Sequence, residues 1–421
     1  MKEFISKYKE QYHVGVNFFS VFLLITFIPD FLGLPSSAIM LPFWLFKIIL
    51  AVAVITSFHK RIYTLSLGEL LFVLLALIYA INLAIDIFLE VDNRGFGNVM
   101  DLLSFIVTVI VAMSFRYDPL FASDKSYYFF TFSLAAGLLA AFFLARPSPP
   151  PLIGRFDANS TVNTINYGQM GCAMCLTAVY GFFEKRFNYS KIIFILCFIL
   201  GILSIMKAGS RAPIVVLTVV GLFYAFARLG FFKAFFLSVI LGLVVYSSLD
   251  TIEKIGQSFD SGLANRVVSA VKDKETSGRD AIYANALEHI KEHPVFGSFY
   301  LLKEGKGDGG YPHNFILEVF LTTGLVGGIP FLIIVFIAIK KSYVYMQKKH
   351  DSSWLIMMYL QILVFGMFST ALYSSQDYWS LCLFVLSLTP VKSLSVRKRL
   401  KLYQRLRRIS SQQATIETSN R

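Results

Sequence analysis

Apolar residues in this chain come in runs of helix length, separated by short polar segments, rather than alternating at the period of a strand. The runs cover 14–32, 38–57, 66–88, 98–115, 127–145, 166–183, 191–208, 212–228, 232–249, 314–339, 354–373 and 377–391. Roughly 20 apolar residues at 1.5 Å each cross the ~30 Å hydrocarbon core of a bilayer, and the shorter runs need interfacial help. The pattern predicts an all-α polytopic membrane protein with about twelve transmembrane helices. One polar stretch is long, Asp250 to Pro312. The expected organisation is helices in 1–249, a large loop containing short helices in 250–312, further spans in 313–391 and a tail in 392–421. No internal repeat of fixed period is visible.

Composition agrees. The 421 residues are 56% hydrophobic and 15% charged, where a soluble domain carries about 25% charged residues. The net charge of +13 lies in short loops and the tail, which fits the positive-inside rule and argues against nucleic acid as a partner. Basic residues gather on one side of the predicted spans: Lys2, Lys7 and Lys9; Lys60 and Arg61; Arg116 and Lys125; Lys185 and Arg186; Arg228 and Lys233; Lys340, Lys341, Lys348 and Lys349; and the tail from Lys392. The opposite short loops are nearly bare. Both termini are therefore expected in the cytoplasm, the long loop in the periplasm, and the chain in a bacterial inner membrane, its first span retained as an anchor. The segment Val396 to Ile409 reads as a basic amphipathic helix on the anionic inner leaflet, a contact with membrane lipids. Cys172 and Cys175 form a C-x-x-C with no second ligand pair, so they read as small core residues, and neither metal nor cofactor is expected.

Arg94, Arg146, Arg155, Lys207 and Arg211 break the charge rule on the outer side. A solvated loop accounts for them, and so does an anionic substrate met at the outer face. Four clusters carry the candidate chemistry. In the first, residues 276–297 predict an amphipathic helix begun by a capping-box spacing, Ser277 and Asp280, and ended at His293-Pro294. Arg279 in its first turn would add a bidentate fork to the free N–H groups, a diphosphate site, or would pair with a loop carboxylate. The second is Tyr311-Pro312-His313-Asn314, with His313 on the first turn of a span as a proton-transfer group or a satisfied interfacial residue. Gly324, Gly327 and Gly328 follow and would let a neighbouring helix approach. The third is Lys207-Ala208-Gly209-Ser210-Arg211-Ala212-Pro213, a turn so tight that Arg211 lies at the membrane edge, facing a phosphate, a carboxylate or a headgroup. The fourth runs from Gly154-Arg155-Phe156 to Asn163–Gly168, after the proline-rich connector 146–151. It suits a sugar-contacting loop and equally an ordinary one.

In this order, Ser210-Arg211, Ser277-Gly278-Arg279, His293 to Gly297, and His313-Asn314 followed after nine residues by Gly324 and Gly327 resemble the O-antigen ligase and O-antigen polymerase superfamily. Gly328 stands where the family often has Thr, a departure that leans away from ligases. The motifs span roughly 150–340. The resemblance implies a metal-independent glycosyltransferase of the GT-C type, using sugars carried on undecaprenyl diphosphate at the periplasmic face. Arg211 and Arg279 would grip the donor diphosphate. His313 would activate the acceptor hydroxyl or steady the departing diphosphate. Arg155, Lys207, Tyr311 and Asn314 are the candidate substrate contacts. Three activities remain open: a polymerase joining lipid-linked repeat units, a ligase moving polymer to lipid A-core, and a flippase of lipid-linked sugars. A chain-length regulator and a flippase are candidate partners.

Overall fold

The computed structural model describes residues 44, 45, 48, 49, 51, 52, 65–88, 97–116, 122–149, 154–159, 162–184, 190–247, 263 and 278–388. The predicted span 14–32, most of 38–57, Ser277 with most of the loop before it, and the basic tail helix lie outside them. Contacts group 1–387 into one compact unit and 388–421 into another. The first unit is a helical bundle: α1 (Leu67–Phe88), α2 (Gly97–Ala112), α3 (Asp124–Leu144), α4 (Thr164–Glu184), α5 (Ser190–Ala208), α6 (Ala212–Leu229), α7 (Phe231–Ser247), α8 (Arg279–Glu292), α9 (Phe315–Gln347), α10 (Ser353–Phe365) and α11 (Gln376–Ser387). One small hairpin, β1 (Arg146–Pro147) with β2 (Phe156–Asp157), pairs antiparallel. The start of the proline-rich connector is thus paired with the Phe156–Asp157 strand. Ser148 N–H donates to the Arg155 carbonyl at 2.9 Å.

Among the described residues, α1, α3, α5, α6 and α9 are long and apolar enough to cross a membrane, and α7, α10 and the α2 region are shorter apolar helices. These helices make the chain a membrane protein, with fewer full-length spans described than the twelve expected. α4 is too polar to qualify, for a physical reason. It is buried along most of its length against α3, α5, α6 and α10, so its neighbours shield it from lipid. Small residues permit that packing: a Cβ on Gly171 would lie 2.8 Å from the Gly201 carbonyl oxygen. Cys172 and Cys175 are buried free thiols in this seam, as their spacing suggested.

α9 is the element that builds the site. It is longer than the predicted span, and it is broken at Gly324, where φ is 58° and ψ is −150°. Phe315 and Phe331 both pack on the Tyr378 ring, at 5.0 and 6.1 Å between centroids. On a straight helix they would be about 24 Å apart. The two arms of α9 therefore fold back on each other at Gly324. The freed N–H groups of Leu325 and Val326 donate to the carbonyls of Pro294 (2.8 Å) and Val295 (3.1 Å), and Ser298 N–H donates to the Leu321 carbonyl at 2.9 Å. What approaches Gly324 closely is thus the 294–297 turn, rather than the neighbouring helix expected. A Cβ there would lie 2.4 Å from the Val295 carbonyl. Gly327 and Gly328 instead face Thr323 and Phe320 of α9 itself.

The predicted span 354–373 also ends early. α10 stops at Phe365, and 366–375 is irregular yet largely buried. Non-helical backbone at that depth needs internal partners. Here Glu318 accepts from the N–H groups of Leu372 and Tyr373, and the Trp379 indole donates to the Leu372 carbonyl at 2.8 Å. Above this lies the long loop. α8 turns Ala286, with Ile282 and Ile290, onto Leu302, Leu321 and Leu317, the amphipathic face its sequence announced. The loop is fastened to α1 and α2 through Tyr300: its N–H donates to Asp86 at 3.2 Å and its hydroxyl to Asp101 at 3.2 Å.

Candidate functional site

Asn314 is the N-cap of α9: its side chain accepts from the N–H groups of Ile316 (2.9 Å) and Leu317 (3.2 Å). Capping thus falls to Asn314, and His313 precedes the helix instead of occupying its first turn. His313 has φ 55°, an uncommon conformation for a residue with a side chain. Its ring meets Tyr311 edge-on at 4.3 Å. Its Nδ1 is buried and has no hydrogen-bond partner among the described residues. Burial, and after it the Arg279 guanidinium, holds the imidazole below the usual histidine range. Both effects favour the neutral imidazole, the form able to accept a proton. Burial, and then Glu318, pushes the Tyr311 hydroxyl up, against the opposing pull of Arg279.

Arg279 is the first residue of α8. The helix begins after Gly278, whose φ of 74° makes the cap, with no side-chain hydrogen bond closing it. Ser277 of the expected capping box lies outside the described residues, and the left-handed Gly278 is the residue that begins the helix. Nη2 of Arg279 approaches Ser369 Oγ at 3.4 Å, and no carboxylate is among its ion pairs in the described residues. Two further groups converge on the same segment: Tyr283 Oη at 3.3 Å and Asn314 Nδ2 at 3.4 Å, both on the Met367 carbonyl. Arg279 and the Tyr311–Asn314 stretch, distant in sequence, are thus brought to one segment, through Ser369 and the Met367 carbonyl. The charge effects of Arg279 on His313 and Tyr311 place all three within electrostatic reach.

The remaining candidates form a second group at the α5–α6 turn. Arg211 caps α6, with Pro213 in the first turn. Gly209, at φ 66°, is pressed by the β-hairpin: a Cβ there would lie 2.9 Å from the Gly154 carbonyl and 3.0 Å from Arg155 Cγ. Arg155 is therefore packed beside the Lys207–Arg211 turn. The Lys207 ammonium donates to the Phe142 carbonyl and lies over the Phe142 and Phe156 rings at 4.9 and 5.4 Å, so it ties α5 to α3 and the hairpin. Thr164 Oγ1 donates to the Ala208 carbonyl, joining α4 to the same turn. Both groups belong to one end of the bundle. Gln361 of α10 donates to the Gln169 carbonyl of α4 at 2.8 Å, and Phe315 N–H donates to the Gly366 carbonyl at 2.9 Å, so the start of α4, the end of α10 and the start of α9 share a level.

Sequence reasoning missed Ser369, Met367 and Tyr283. The first two sit inside an apolar run that reads as uninterrupted span, and nothing in it marks a break. Glu318 did carry a signal, being a lone carboxylate in an apolar run. No group of three or more His, Cys, Asp or Glu residues able to hold a metal occurs among the described residues. The site offers a guanidinium, an imidazole and a phenol close to one segment, the complement of an anionic group and a hydroxyl. No curated protein matches the chain. Residues 196–332 match the family model described as O-antigen ligase, a match running from α5 into α9 that supports the O-antigen ligase/polymerase superfamily for this chain.

Proposed function

We propose that this protein transfers glycans between lipid carriers, joining oligosaccharide repeat units held on undecaprenyl diphosphate at the periplasmic face of the bacterial inner membrane. The observation that carries this is the convergence of Arg279 and of Asn314, next to His313, on the 367–369 segment at the start of a broken helix, within a stretch matched by the O-antigen ligase family. The acceptor hydroxyl oxygen attacks the anomeric carbon of the donor sugar. The bond from that carbon to the diphosphate oxygen breaks, and its electron pair leaves with the lipid diphosphate. Arg279 and Arg211 stabilise the charge that develops on this leaving group. The acceptor proton passes to His313, a role open to its neutral imidazole. Tyr311, Asn314, Arg155 and Lys207 line the approach of substrate. No residue in this scheme requires a metal or cofactor. Chain-length regulator and flippase are the proposed partners.

A ligase that moves finished polymer to lipid A-core would use the same chemistry with another acceptor, and the matched family accommodates both readings. Gly328, where the family often has Thr, favours the polymerase. Glycan profiling of a deletion strain separates them. Polymerase loss leaves single repeat units on the core, whereas ligase loss leaves polymer on the carrier. With purified lipid-linked repeat units, His313→Ala should cost about 10²–10⁴ in turnover while the protein stays folded. A stable variant with near wild-type turnover would remove His313 from the reaction.

A further inference from the structure

Glu318 is fully buried in the bundle, one turn after the Asn314 cap. An ionisable group at such a place is costly unless every oxygen is satisfied. Its carboxylate is satisfied, and by groups from separate parts of the chain. Tyr79 of α1 donates to Oε1 at 2.8 Å. Leu372 N–H donates to Oε1 at 2.9 Å and Oε2 at 2.8 Å, and Tyr373 N–H to Oε1 at 3.1 Å. With the bonds from the Trp379 indole to the Leu372 carbonyl and from Phe315 N–H to the Gly366 carbonyl, these hold the irregular 366–375 segment. By contrast, the contacts from this segment to the site are long: 3.4 Å to Arg279, 3.4 Å to Asn314 and 3.3 Å to Tyr283. A loose contact positions a side chain only if what it rests on is rigid.

We infer that Glu318 is a positioning residue for the transfer reaction, the group that clamps the first arm of α9 to α1 and to the 366–373 segment and so fixes His313 and Arg279 relative to one another. The clamp works on both sides of the site at once. Through α9 it sets Asn314 and His313, whose helix start is also bonded to Gly366. Through Leu372 and Tyr373 it sets Met367 and Ser369, on which Asn314, Tyr283 and Arg279 rest. The arrangement explains why a carboxylate is retained in the bundle core: a single apolar side chain could fill the space, but it could not accept from two consecutive backbone N–H groups and a phenol.

The functional part of this inference rests on the glycan-transfer reading above; the structural part does not, and the test separates them. Glu318→Gln keeps the shape and the acceptor at Oε1 but puts an amide N–H₂ where Oε2 accepts from Leu372 N–H at 2.8 Å, donor against donor. Hydrogen–deuterium exchange of the purified proteins should then be faster both in peptides covering 314–318 and in those covering 366–375. Unchanged exchange in either would overturn the clamp. In kinetics with lipid-linked repeat units, Glu318→Gln should raise the donor KM by about tenfold, and Ser369→Ala by about two- to fivefold. Because both act through one segment, the double variant should be no worse than Glu318→Gln alone. Multiplying effects, or an unchanged donor KM in either single variant, would overturn the positioning role. If Glu318→Gln does not fold, Ser369→Ala decides by the same KM criterion. If the wild-type protein turns over no lipid-linked sugar, the glycan-transfer reading fails, and the exchange data still decide the clamp.

Discussion

Gly324→Ala adds one carbon at the fold-back of α9. The native conformation, φ 58° and ψ −150°, is reserved almost wholly for glycine and costs another residue about 1–3 kcal/mol. The new Cβ would also lie 2.4 Å from the Val295 carbonyl carbon and oxygen and 2.6 Å from the Gly297 nitrogen. These are backbone atoms, so no side chain can swing aside. The 294–297 turn must retreat, and with it the bonds from Leu325, Val326 and Ser298 N–H. At about 0.5–1.5 kcal/mol each, the expected total with the strain is about 2.5–7.5 kcal/mol. Thermal unfolding of the purified protein reads the loss, and turnover of lipid-linked repeat units reads its effect on the site. Gly221→Ala is the control, since nothing lies within 4 Å of its added Cβ and alanine favours a helix by about 1 kcal/mol. A Gly324→Ala protein as stable and active as the wild type would refute the account of the broken helix.

Two further outcomes are expected. The acid limb of the pH–rate profile should lie below the usual histidine range, because His313 must be neutral to accept a proton and burial and Arg279 both disfavour its charged form. Arg279→Gln removes the like charge, so the imidazole becomes easier to protonate and the limb should move to higher pH at saturating donor; an unmoved limb would show that another group titrates. For topology, Lys306→Cys, on the exposed part of the loop, should react with an impermeant reagent from outside intact cells, and reaction only after lysis would reverse the proposed orientation.

Long apolar runs, with charge confined to short loops, announced a helical membrane protein, since only helices with internally satisfied backbones cross a bilayer in single segments. The starts of α4, α6 and α9 were legible for similar local reasons: a polar cluster, Pro213 in a first turn, and an Asn before an apolar run. The candidate residues were legible too, because cations against the topology bias and a histidine at a span's mouth stand out by type. The breaks inside apolar runs were not. Residues 354–373 read as one span, and only the tertiary partners Glu318 and Trp379 allow the backbone at 366–375 to leave the helix. Gly324 read as a packing glycine, yet its dihedral angles and the carbonyls of Pro294 and Val295 make it the point where α9 turns back. Hydropathy reports whether a residue tolerates lipid or a protein interior, and it is the same for both. Which apolar segment faces lipid, and which is bent inward to carry His313 beside Arg279, depends on distant hydrogen-bond partners. The sequence by itself therefore determined the membrane class and the candidate groups, and the tertiary structure alone decided which of those groups meet.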